Sequence, residues 1–110
     1  MTQSIADLLA ERGKVLGDYA VHAQITQDVK EVLHGSPNWQ FASRRRLSPM
    51  QKETLEMIAH KIGRIMAGDP NEPDHWADIA GYAELVRMRL IAAQQATREI
   101  VASPVAAQQA

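Results

Sequence analysis

The feature that most constrains this chain is a pair of helix-start signals on either side of a glycine stop in its second half. Ser48, then Pro49, then Gln51 three residues after the serine make a capping box with proline at the first helical position. The periodic run that follows predicts a helix to Ala67, with Gly68 as its C-terminal stop. Asp69-Pro70-Asn71-Glu72-Pro73 is a tight polar connection. Pro73, with acidic Asp74 behind it in the positive field of the helix N-terminus, opens a further helix predicted to reach about Ala102. So short a link makes its two helices antiparallel neighbours, and the spacing predicts a helical hairpin over 48–102.

Upstream, residues 4 to 11 predict a short helix, with Ser4 as N-cap, Ile5, Leu8 and Leu9 on one side, and Gly13 as the stop. A second helix, about 17 to 34, puts Val21, Ile25, Val29, Val32 and Leu33 on one stripe and stops at His34-Gly35-Ser36-Pro37. Residues 35 to 47 read as a loop, either a lid or a subunit contact, carrying Trp39, Phe41 and Arg44-Arg45-Arg46. The tail, 103–110, has no periodic pattern and reads as frayed. The expected fold is all-α, one domain over 1–102 with about four helices.

Composition narrows this further. With 110 residues there is room for one core. Only 5% of residues are aromatic, so that core must come from Ala, Leu, Ile, Val and Met, and it will be thin. A small domain with a thin core gains burial by self-association, so a homo-oligomer is expected. The absence of Cys excludes disulfides and cysteine zinc sites. A net charge of −1 argues against general nucleic-acid binding and against a membrane-surface binder. The opening Met1-Thr2-Gln3-Ser4 lacks a signal-peptide layout, and no apolar run approaches the ~20 residues of a membrane span, so a cytoplasmic protein is expected.

The third predicted helix sets Leu55, Ile58, Ile62, Ile65 and Met66 against an opposite stripe of Glu53, Glu56, His60 and Arg64, with Lys61 beside that stripe. On the fourth, Trp76, Ile79, Ala83, Val86 and Leu90 form the apolar face, and Asp74, Asp78, Tyr82, Leu85 and Arg89 an adjoining stripe. The hairpin would point Asp74 and Asp78 at His60, Lys61 and Arg64. In chemical terms that is a set of cations for phosphate oxygens, carboxylates to orient them or hold Mg²⁺, and a ring for a base. The same charges also read as solvated outer faces with i,i+4 ion pairs. Gly81 in mid-helix asks for a close approach by a helix or ligand.

Other clusters carry less. The Arg44–Arg46 triplet near Trp39 and Phe41 reads as a solvated loop or a phosphate and base contact. His22 and His34 have no carboxylate pair near them in sequence, and His60 and His75 lack further His partners, so zinc is not indicated. Gly13, Gly17 and Asp18 lack the strand-to-helix context of a phosphate loop. No nucleophile–base arrangement is legible from spacing.

Three segments carry a resemblance: Glu11-Arg12-Gly13-Lys14 with Gly17-Asp18-Tyr19, Leu55 to Ile65, and Asn71 to Ala83. Together they resemble a phage and prophage family of small helical proteins known as a domain of unknown function, over roughly residues 8 to 90. More loosely, the Lys-x-x-Arg helix followed by an Asp-rich helix ending in Tyr is similar to phage domains associated with nucleotide modification, to a small non-Walker phage nucleotide kinase, and to the all-α MazG-like nucleotide pyrophosphohydrolases. The last resemblance implies Mg²⁺ held by Glu53 and Glu56, which form a Glu-x-x-Glu, together with Asp78. The pattern departs at Asp74 and Asp78, spaced by four rather than three, and in the cationic His60, Lys61 and Arg64.

The expectation is therefore a phage-derived nucleotide-binding protein of the bacterial cytoplasm. It would grip phosphate with Arg12, His60, Lys61 and Arg64, oriented by Asp74 and Asp78, with Tyr82 or Trp76 near the base. Such a protein would serve nucleotide metabolism or sequester a host nucleotide signal. One rival is a Mg²⁺-dependent pyrophosphohydrolase or kinase, the other a structural or protein-interaction module.

Overall fold

The computed structural model describes residues 3–41 and 44–102, and among them every regular element is helical. Five helices follow in order: α1 (Ile5–Leu16), α2 (Tyr19–His34), α3 (Pro37–Gln40), α4 (Pro49–Ala67) and α5 (Pro73–Ala102). The expected tail, 103–110, lies outside the described residues. No described helix is long and apolar enough to cross a membrane.

The capping chemistry of α4 forms as expected: Gln51 N donates to Ser48 Oγ, and Ser48 N donates to Gln51 Oε1. Asp18 caps α2 by accepting from Val21 N. Helix α1 departs from expectation, running through Gly13 and ending at Gly17 instead. Gly13 has open space around it and ordinary helical geometry, whereas Gly17 sits at φ 81°, the left-handed region glycine favours. The presumed loop 35–47 also contains the single turn α3. That turn docks Trp39 onto its own chain, with its ring 4.7 Å from the His34 ring and the Lys52 ammonium 5.5 Å away over the indole. Leu47 N donates to Asn38 O and closes the loop.

Helix α4 is the hub, packing against both α2 and α5. The expected polar outer face of α4 is in fact its α2 face. There Ala59 and Gly63 are buried against His22 and Thr26. A methyl group on Gly63 would overlap Thr26 Oγ1 and lie 2.8 Å from His22 Nδ1, so the two helices approach closely because α4 presents no side chain there. The second close crossing joins Gly17 to Gly68, where Asp69 N donates to Val15 O. His75 is buried beside it, its Nε2 3.5 Å from Val15 O.

On α5 the half-buried positions are Ile79, Tyr82 and Val86, following buried His75, so the packed face is rotated from the predicted Trp76–Leu90 stripe. Trp76 instead lies exposed, donating from Nε1 to Pro70 O. Among the described residues Ala59 is the one buried apolar side chain, and the other buried residues are His22, Thr26, His75 and Gly63. The core expected from Ala, Leu, Ile, Val and Met is thin, with its larger members half-buried or exposed among the described residues.

Candidate functional site

The α1–α2 corner builds the principal cleft. Helix α1 supplies Leu9, Arg12 and Leu16 from its last turns, the left-handed Gly17 turns the chain, and the first turn of α2 supplies Asp18, Tyr19 and His22. Arg64 of α4 completes the wall of this opening of about 570 Å³. Among the described residues neither Arg12 nor Arg64 forms an ion pair with a carboxylate, so two guanidinium groups share one cleft with the single acidic neighbour Asp18.

The floor of the cleft is held by neutral imidazoles. Arg64 Nε donates to His60 Nε2 at 3.1 Å, which requires that nitrogen to be unprotonated. Burial, the adjacent Arg64 charge, His22 and the nearby lysines Lys61 and Lys30 lower the His60 pKa to about 4, so the ring remains an acceptor near neutrality. His60 meets His22 edge to face, with ring centroids 4.5 Å apart. The His22 pKa is also lowered, chiefly by burial and further by the Arg64 charge, against an opposing pull from the Gly63 backbone, and its Nδ1 is buried with no well-formed hydrogen bond among the described residues. Tyr19 stands exposed at the rim, its ring 6.2 Å from the His22 ring.

The predicted site residues divide between two sides of α4. Arg12, His60 and Arg64 come together at the α2 side. Lys61 and Asp78 meet at the α5 side, Nζ to Oδ2 at 2.7 Å, so this predicted pair does converge. His60 and Arg64 do not join them, because positions on successive faces of α4 point to different neighbouring helices. Asp74 is exposed in the first turn of α5, its backbone N–H directed at Glu72 Oε1. Tyr82 lines a shallow depression with Asp78, Gly81 and Leu85. Gly81 has nothing within 4 Å of an added Cβ, so the close approach expected there occurs at Gly63 instead.

Among the described residues no three His, Cys, Asp or Glu side chains gather where a metal ion could be held. Of the carboxylates expected for Mg²⁺, Glu56 is engaged by His34 Nε2 at 2.7 Å, Asp78 by Lys61, and Glu53 is exposed. The His34–Glu56 pair supplies the carboxylate that sequence spacing did not offer His34. Arg44, Arg45 and Arg46 are exposed.

Sequence reasoning missed Tyr19 and His22. The available signal was the Gly17-Asp18 pair: a helix stop followed at once by an N-cap forces a sharp corner, which brings Arg12 on one helix near the opening turn of the next. Comparison with protein-family models, curated proteins and solved structures finds no match for this chain.

Proposed function

We propose that this chain is a phage-derived protein that binds a phosphate-bearing small nucleotide, in nucleotide metabolism or in sequestering a host nucleotide signal, and that the α1–α2 cleft is where it binds. The observation that carries the proposal is the pair Arg12 and Arg64, two cations that line one opening and have no carboxylate partner among the described residues. Guanidinium groups match phosphate oxygens with paired N–H donors, and a partly enclosed site strengthens that attraction over its value in water. Neutral His60 fixes Arg64 without cancelling its charge, which a carboxylate in the same place would do. Tyr19 at the rim offers a stacking face for a base, an interaction worth roughly 1–3 kcal/mol. In this reading α4 and α5 form an antiparallel hairpin, and Lys61–Asp78 clamps it from outside the ligand site.

The test is thermal stabilisation by inorganic phosphate and by mono-, tri- and cyclic nucleotides, with and without Mg²⁺. At least one nucleotide is expected to raise the melting temperature, and Arg12→Ala or Arg64→Ala is expected to abolish the shift with helical content retained. Absence of a shift with every compound removes the proposal. A nucleotide that stabilises without Mg²⁺ and is recovered intact counts against turnover.

A further inference from the structure

Helix α1 lines the cleft with one stripe, Leu9, Arg12, Gly13 and Leu16, at the spacing that puts side chains on a single helical face. Glycine is the odd member of that stripe. In a helix interior it is a poorer choice than alanine, so its presence there calls for a reason. The left-handed φ that demands glycine occurs at Gly17 and not at Gly13. A Cβ on Gly13 would meet nothing within 4 Å, so no neighbouring helix needs the space, in contrast to Gly63. The Gly13 carbonyl accepts the capping N–H of Gly17 at 2.9 Å, which the carbonyl of any residue could do.

What remains is the cleft itself. Leu9 and Leu16 stand about 10 Å apart along the helix axis at 1.5 Å per residue, and between them Gly13 leaves the wall bare. The backbone exposed in this notch is committed to the helix and its cap, so the notch offers apolar contact rather than hydrogen bonds. Such a surface suits the face of a planar ring, with the Arg12 cation one residue away. Gly81 is equally unhindered, but its depression holds Asp78, already paired with Lys61, and among the described residues no cation lines it.

We propose that Gly13 determines specificity in the α1–α2 cleft: it is the seat of the nucleobase, whose ring lies over the bare backbone between Leu9 and Leu16 while Arg12 and Arg64 take the phosphate. The inference rests on the nucleotide reading above and adds where the base goes. A side chain at position 13 fills the seat and leaves both cations in place.

The experiment compares Gly13→Leu with Gly81→Leu, each a better helix former than the glycine it replaces. Wild type and variants are titrated with ribonucleoside monophosphates, their cyclic and triphosphate forms, and ribose phosphate, and melting temperature checks folding. Gly13→Leu is expected to weaken the nucleotides that bind the wild type by roughly tenfold or more, the scale of a lost base-stacking contact. Gly13→Ala is expected to show a smaller loss in a protein at least as stable as the wild type, which separates an occupied seat from a damaged fold. Gly81→Leu is expected to bind nucleotides as the wild type does, and ribose phosphate, which lacks the base, to bind all these proteins alike. Unchanged nucleotide affinity in both position-13 variants overturns the seat and leaves the phosphate site standing. An equal loss for ribose phosphate, or an equal loss in Gly81→Leu, overturns the seat as well. A wild type that binds none of the nucleotides overturns the seat together with the reading beneath it.

Discussion

Alanine at Gly63 tests the tightest contact in the molecule. The new Cβ would stand 2.8 Å from His22 Nδ1 and 2.9 Å from the His22 carbonyl oxygen, and would overlap Thr26 Oγ1. Non-bonded carbon contacts settle near 3.5–4.0 Å, so α4 must move roughly 0.5–1 Å away from α2. The carbonyl oxygen belongs to the α2 backbone and cannot rotate aside. Overpacking of this kind costs about 1–3 kcal/mol, and the better helix propensity of alanine returns ~1 kcal/mol, leaving a net loss of up to about 2 kcal/mol. The same substitution at Gly13 or Gly81 meets nothing within 4 Å. There the propensity gain stands alone, and both variants are expected to be more stable by about 0.5–1 kcal/mol. For a domain of this size 1 kcal/mol moves the melting temperature by roughly 4–8 °C, so the three variants separate clearly. Urea unfolding by circular dichroism, at one fixed protein concentration, measures all three. A Gly63→Ala protein as stable as Gly81→Ala would refute the close α2–α4 approach.

Two further outcomes follow from the same interface. His60 titrates at about 4 in the folded chain against 6.5 when unfolded, and His22 is shifted in the same direction, so between these values the unfolded chain binds more protons. The His60 contribution is therefore complete above pH 6.5 and is lost as pH falls toward 4, and that of His22 changes in the same direction; urea midpoints equal at pH 7 and pH 5 would contradict neutral rings at this interface. Thr26→Val removes a buried hydroxyl that has no hydrogen-bond partner, so stability is expected to stay level or rise by up to ~1 kcal/mol; a clear loss would mean that Oγ1 is bonded after all.

Much of the fold is legible one residue at a time. Ser48, Pro49, Gln51, Gly68 and Pro73 place the ends of α4 and the start of α5 because caps act through the adjacent backbone alone. Gly13 misled for the converse reason: glycine permits a stop without requiring one, and the left-handed turn that ends α1 lies at Gly17. The Lys61–Asp78 pair was readable from a short connection between two periodic helices. Which side of α4 meets α2 was not, because a wheel sorts side chains by polarity, and here the packed side is chosen by smallness. Ala59 and Gly63 let α2 approach so closely that His22 and Thr26 fill the contact, and this drew His60 and Arg64 away from Asp78 and toward Arg12 and Tyr19. Local sequence thus determined where α4 begins and ends and where α5 begins, since those signals are settled within a turn. Only the tertiary structure decided which cations share a cleft, since that depends on helix spacing set by residues with almost no side chain at all.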